Sequence, residues 1–157
     1  MIDILVISHS CLIAVNRTIY RELSSLGWSI ELIVPKKLKI GTTYVDAEPT
    51  VSTDPPIHYL PITSPNPRIY TYKSLIKLLN KLQPKIILLD NGPACILAIQ
   101  LGHWVKANNS KLICMACDNL LPDFYTELVQ GHLKSSLITP LTYFLSHFAK
   151  GTAENNL

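Results

Sequence analysis

Short apolar runs alternate with longer amphipathic ones along this chain of 157 residues. The first run, Ile4 to Ile7, is apolar throughout, as expected for a central parallel strand covered on both faces. A polar turn, Ser8-His9-Ser10, follows it. Val15, Ile19, Leu23 and Leu26 then recur at spacings of four, four and three, which predicts a helix that buries all of them. Asn16 stands at the N-cap position, without the Glu or Gln three residues on that completes a capping box. Gly27 fits the left-handed position just past the helix end. Ser29 to Val34 reads as the second strand, stopped by Pro35. The chain thus opens with a β-α-β unit, and in doubly wound sheets the loop after such a first strand lies at the ligand crevice.

From Lys36 to Pro56 the pattern fades. A loop of about twenty residues is longer than most connections in compact domains, so this stretch is expected to be a functional flap or a poorly ordered excursion. Ile57 to Pro61 is a short strand. Pro65 and Pro67 then introduce a helix with Ile69, Tyr72, Leu75, Ile76, Leu79 and Leu82 on one face, and Pro84 ends it. Lys85 to Asp90 is the clearest buried strand. Asn91-Gly92-Pro93 turns into a helix that runs to about Lys106, and Asn108-Asn109-Ser110 breaks it. Leu112 to Ala116 is the last strand, followed by Cys117-Asp118-Asn119. An apolar helix interrupted by Pro140 is expected from Ser136 to Lys150. This alternation predicts an α/β fold, a Rossmann-like doubly wound parallel sheet with helices on both faces. Right-handed crossovers would gather every post-strand loop on one edge.

That edge would collect three polar pairs: His9 with Ser10, Asp90 with Asn91, and Asp118 with Asn119. Any one pair is explained by turn and cap chemistry, in which Asp and Asn are ordinary. Three at equivalent positions point instead to a polar site that binds hydroxyls or moves a proton. The spacing does not say which residue acts.

Composition narrows the partners. Hydrophobic residues make up 48% and charged residues 16%, enough for a buried core and unlike a disordered chain. A net charge of +3 is too weak to imply nucleic acid. No apolar run approaches the roughly 20 residues of a membrane span, and the start lacks a basic leader with an apolar core. The four cysteines read as reduced thiols of a cytoplasmic protein. Cys114-Met-Ala-Cys117 straddles a strand end rather than opening a helix, and no second C-x-x-C completes a zinc site, so neither redox chemistry nor a metal is expected. With six glycines the chain has neither G-x-G-x-x-G nor a P-loop, and after the first strand there is no glycine cradle for a pyrophosphate. Gly-x-Ser-x-Gly is absent as well. The apolar stretch Leu137 to Phe148, flanked by Lys134 and Lys150, suits core packing or docking on a partner domain better than peripheral contact with a membrane.

Three segments carry a family resemblance. They are Ile-Leu-Val-Ile-Ser-His-Ser at the start, Asn-Arg-x-x-Tyr-Arg-Glu-Leu-x-x-Leu-Gly-Trp-x-Ile-x-Leu-Ile-Val-Pro after it, and Lys-Leu-Gln-Pro-Lys-Ile-Ile-Leu-Leu-Asp later. Together they resemble the N-terminal half of family 4 glycosyltransferases, over nearly the whole chain. The resemblance implies a GT-B architecture, in which two Rossmann-like domains face a cleft. The N-terminal one holds the acceptor and the C-terminal one the nucleotide-sugar. It implies a retaining transfer of sugar to an acceptor hydroxyl. Asp118 takes the place of the acidic residue or His found near the reacting sugar. His9, Ser10, Asn16, Arg17, Asp90, Asn91 and Asn119 would line the acceptor side of the cleft. The Gly-Gly pair that many relatives carry after the first strand is replaced here by His9-Ser10-Cys11-Leu12. By the same resemblance, residues 1–157 form one domain that stops before its last strand, and the donor domain is absent. The chain alone would then hold no cofactor, and a nucleotide-sugar donor would be bound only by a full-length enzyme. The product class would be carbohydrate, made in the cytoplasm or at the inner face of the membrane. The competing expectation is a non-catalytic Rossmann-like module that binds a carbohydrate or a protein.

Overall fold

The computed structural model describes residues 2–66, 69–92 and 95–115, which belong to one compact unit. Five strands form an all-parallel sheet: β1 (Ile4–Ser8), β2 (Ile30–Pro35), β5 (Ile57–Leu60), β6 (Ile86–Asp90) and β7 (Lys111–Cys114). Their order across the sheet is β5-β2-β1-β6-β7. The chain winds outward from β1 in one direction, returns to the centre, and winds out in the other. This is the doubly wound, Rossmann-like α/β fold.

Side chains alternate across each strand, and that alternation makes two cores. Leu5, Ile7, Ile33, Ile87 and Leu89 face helices α2 (Leu75–Leu82) and α3 (Ile96–Asn108), which contribute Leu75, Leu79, Leu97, Leu101 and Trp104. Val6, Leu32 and Val34 face the opposite layer, with Tyr20 of helix α1 (Thr18–Ser25), Cys11 and Leu12. The two helices of the first layer are also tied by Trp104, whose indole N–H donates to Asn80 Oδ1 at 2.7 Å. Cys95 caps α3, its thiol accepting the Ala98 N–H at 3.4 Å.

Several expectations need correction. Val15, Ile19 and Leu26 are 70%, 61% and 76% exposed. Helix α1 instead turns Tyr20 and Leu23 to the core, behind a fully buried Arg17. Two short 3₁₀ turns, Ser10–Leu12 and Ala14–Arg17, use up the residues before Thr18, so the α-helix begins late and with a different face inward. Asn16 does not cap it: its amide donates to the Ser10 carbonyl at 2.8 Å.

The stretch after β2 is not irregular throughout. Strands β3 (Lys37–Ile40) and β4 (Thr43–Asp46) pair as an antiparallel hairpin around Gly41, whose φ is +61°. Pro35 is the last residue of β2, one position beyond the expected end at Val34. The helix expected from about Ile69 begins only at Leu75. Tyr72 bridges Ile62, and the Thr63 N–H donates to the Thr71 carbonyl at 2.9 Å, which draws this stretch into extended pairing. Ser74, left-handed at φ 62°, then turns the chain into α2. Tyr72, Leu75 and Leu79 are buried as expected, whereas Ile69 is half exposed. No helix among the described residues is long and apolar enough to cross a membrane.

Candidate functional site

The direction of winding reverses between β1 and β6, so a crevice lies outside their carboxyl ends. Ser8 and Asp90, the last residues of the two strands, are register partners. Ser8 Oγ donates to Asp90 Oδ2 at 2.7 Å and Ser10 Oγ donates to the same oxygen at 2.6 Å. The two hydroxyl oxygens lie 3.0 Å apart. Each owns one proton, so with both turned to the carboxylate no proton is left for the Ser8–Ser10 contact. Asp90 Oδ1 takes no hydrogen bond from the described residues. The arrangement leaves one carboxylate oxygen fixed in place and available to a ligand's donor.

The loop after β1 is tightly wound, and its amides are spent internally. The Cys11 N–H donates to Ser8 Oγ at 3.1 Å, Leu12 to the His9 carbonyl and Ile13 to the Ser10 carbonyl. The Ala14 N–H donates to the Glu48 carboxylate at 2.6 Å. Four successive amides are therefore engaged, and a carboxylate occupies the place where a phosphate would need bare N–H groups. The missing glycines of the sequence have this structural counterpart.

Arg17 fixes the loop from beneath. Its side chain is 0% exposed, and all five N–H donors are used. Nε donates to the Cys11 carbonyl, the NH1 group to Pro49 O and Asp54 Oδ2, and the NH2 group to Leu12 O and Glu48 O. Arg21 Nε reaches the other Asp54 oxygen at 2.7 Å. Burial alone would raise the Asp54 carboxyl, but the Val51 N–H, Arg21 and Arg17 outweigh it and hold the pKa below its ordinary value. Arg17 has no donor left for a ligand and acts as a structural tie.

Two tyrosines of the post-β5 segment, neither of them a site candidate in the sequence, lie in the core close enough to Asp90 to feel its charge. Tyr70 and Tyr72 are buried and meet edge to face, with ring centroids 5.6 Å apart. Burial, reinforced by the Asp90 charge, pushes the Tyr70 phenol up to about 12, and burial drives Tyr72 well above its usual value. Both remain neutral donors. The Tyr72 hydroxyl and His9 Nδ1 are shielded from solvent, and among the described residues neither meets a partner at hydrogen-bond geometry. Their proximity to Asp90 was hidden because the sequence pattern assigned Tyr72 to a helix face. The tyrosine pair could be found only by knowing that β5 ends on the same edge.

Of the residues singled out in the sequence, Ser10 and Asp90 are in direct contact, and Asn91 meets Tyr70 beside them. His9 sits in the same turn, and Asn16 holds the turn's backbone. Asp118, Asn119, Cys117 and the stretch Leu137 to Phe148 lie outside the described residues. Cys11, Cys95 and Cys114 are free thiols, each raised by burial, Cys114 to about 11. Among the described residues no group of three His, Cys, Asp or Glu side chains could hold a metal ion. Compared with protein-family models, with curated proteins and with solved structures, the chain matches none.

Proposed function

We propose that this chain is the acceptor-binding half of a retaining GT-B glycosyltransferase, an enzyme that moves a sugar from a nucleotide-sugar to an acceptor hydroxyl. The observation that carries the reading is the Asp90 carboxylate at the switch point. One of its oxygens is held by Ser8 and Ser10, and the other takes no hydrogen bond from the described residues. A carboxylate fixed in this way suits a ligand rich in hydroxyls, because a ligand O–H finds a charged acceptor in its second oxygen. The spent amides of residues 11–14 leave the β1 loop unsuited to a dinucleotide's pyrophosphate. His9, Ser10, Asp90 and Asn91 line the acceptor side in this reading. Asp118 and Asn119 join them only through the family resemblance.

The test is a heteronuclear NMR titration of the 157-residue chain with simple glycosides and, separately, with nucleotide-sugars. Glycosides should shift the amides of Ser8, His9, Ser10, Asp90 and Asn91, and Asp90→Asn should weaken that binding at least tenfold. Nucleotide-sugars should leave those amides in place. Saturable binding of a nucleotide-sugar at the β1 loop, or no glycoside response at millimolar concentration, overturns the proposal.

A further inference from the structure

A second concavity opens on the same edge of the sheet, next to the crevice. It is an open groove of about 250 Å³ between the β3–β4 hairpin and the segment that leaves β5. Its walls include Lys36 just past β2, Lys37 and Tyr44 from the hairpin, and Ile62, Ser64 and Pro65 from the post-β5 segment. We propose that this groove holds an oxyanion of the acceptor, a phosphate or a carboxylate, so that the acceptor is an anionic glycoside. The inference rests on the acceptor-binding reading and adds the chemistry of the substrate.

The lining is one-sided. Among the described residues it contains two lysines and no acidic residue. Lys36 has no ion-pair partner among the described residues. Lys37 has only a loose one, Asp46 at 3.6 Å, where both side chains are largely exposed, and it also stands over the Tyr44 ring at 5.7 Å. Ser64 Oγ accepts the Asn66 N–H at 3.2 Å and so keeps its own proton to donate. Three donors, opposed only by the loose Asp46 contact to Lys37, are complementary to an oxyanion. Ile62, Pro65 and the Tyr44 ring add an apolar side against which a sugar ring or a short aliphatic chain can lie.

The backbone makes the placement firm. Pro35 and Leu60 are register partners, the Lys36 N–H donates to the Leu60 carbonyl at 2.9 Å, and the Ala47 N–H returns to the Lys36 carbonyl at 3.0 Å. The hairpin and the β5 exit are thus pinned to the same point of the sheet edge. From the β1–β6 crevice to the β2–β5 boundary is two strand steps, roughly 10 Å at about 4.8 Å per step. One sugar ring with a charged substituent spans that distance, with its hydroxyls at Asp90 and its anion at the lysines. The groove volume lies just under the ~300–1,000 Å³ typical of pockets for drug-sized ligands, which suits one charged group and part of a ring.

Binding to the 157-residue chain is compared for glucose 1-phosphate, glucuronate and uncharged methyl glucoside, by calorimetry and by amide shifts. At low salt the anionic sugars should bind about tenfold more tightly than methyl glucoside, and that advantage should shrink as salt rises from about 0.05 to 0.5 M. The stronger of the two anions identifies phosphate or carboxylate as the group. K36A and K37A should each remove most of the advantage, and K111A, which deletes the same charge at the opposite edge, should remove none. If all three sugars bind equally well and shift only Ser10, Asp90 and their neighbours, the anion inference falls and the acceptor reading stands. Inorganic phosphate shifting Lys36, Lys37 and Ser64 while no sugar touches Asp90 supports the anion site and overturns the acceptor reading. No response to any ligand overturns both.

Discussion

Arg17→Met tests how the loop that carries Ser10 is built. The guanidinium is fully buried and bonds four backbone carbonyls and one carboxylate. Methionine fills much of the same space and donates nothing. The Leu12 carbonyl would keep the Glu48 N–H at 2.9 Å, and the Glu48 carbonyl would keep the Tyr59 hydroxyl at 3.1 Å. The Cys11 and Pro49 carbonyls would be left without a partner, at about 1–3 kcal/mol each. Asp54 would retain Arg21 and the Val51 N–H, so its charge would be only partly uncompensated. The total should come to about 3–5 kcal/mol, the range for breaking a buried ion pair from one side. Against the ~5–15 kcal/mol of a typical domain, that is a large share of the stability. Urea denaturation followed by circular dichroism measures it. Arg17→Lys should be nearly as harmful, because one ammonium on a flexible stem cannot reach carbonyls on opposite sides. The double variant Arg17→Met with Asp54→Asn should cost clearly less than the two single changes added together. A loss below about 1 kcal/mol for Arg17→Met would refute the tie, since even one orphaned carbonyl exceeds that.

Four further outcomes can be checked. Asp90→Asn should cost about 1–2 kcal/mol in denaturation while preserving the fold, because both serine hydroxyls lose a charged acceptor that is only partly buried. The lowered pKa of Asp54 means that its contribution is complete above its ordinary value of 3.8 and is lost as pH falls through the still lower folded value. A pH series of unfolding curves should therefore steepen below about pH 4, and Asp54→Asn should flatten that part of the profile. Cys114, with its pKa near 11 instead of 9.0, should react with a thiol reagent at pH 8 about a hundredfold more slowly in the folded chain than in urea, by peptide mass mapping. Gly27→Ala should destabilise by about 1 kcal/mol, since φ is +94° there and the added Cβ meets nothing within 4 Å, so the cost is backbone strain alone.

Much of the fold was readable in the order of residues. Parallel strands buried on both faces must be nearly all apolar, and Ile4 to Ile7, Ile30 to Val34 and Ile86 to Leu89 are. Gly27 and the Asn108-Asn109-Ser110 break carry local conformational signals that need no partner, and Gly27 and Asn109 do adopt positive φ. For the same reason the carboxyl-edge positions of Ser10 and Asp90 could be named in advance: they follow from strand ends and crossover handedness.

Tertiary structure decided the rest, and the reason is the same at each place. Apolar periodicity could not show that Arg17 would enter the interior, because its partners Glu48, Pro49 and Asp54 lie more than thirty positions away. That burial turned α1 and left Val15, Ile19 and Leu26 outside. The β3–β4 hairpin and the Ile62–Tyr72 bridge arise from pairings that polar and proline-rich stretches do not advertise. The Ser8–Asp90–Ser10 contacts and the pair of lysines beside Ser64 join segments brought together only when the sheet closes. Sequence alone determined which apolar runs become the parallel strands. The three-dimensional packing determined which side chains meet there, because hydrogen bonds and charges between distant segments depend on distance in space rather than on local period.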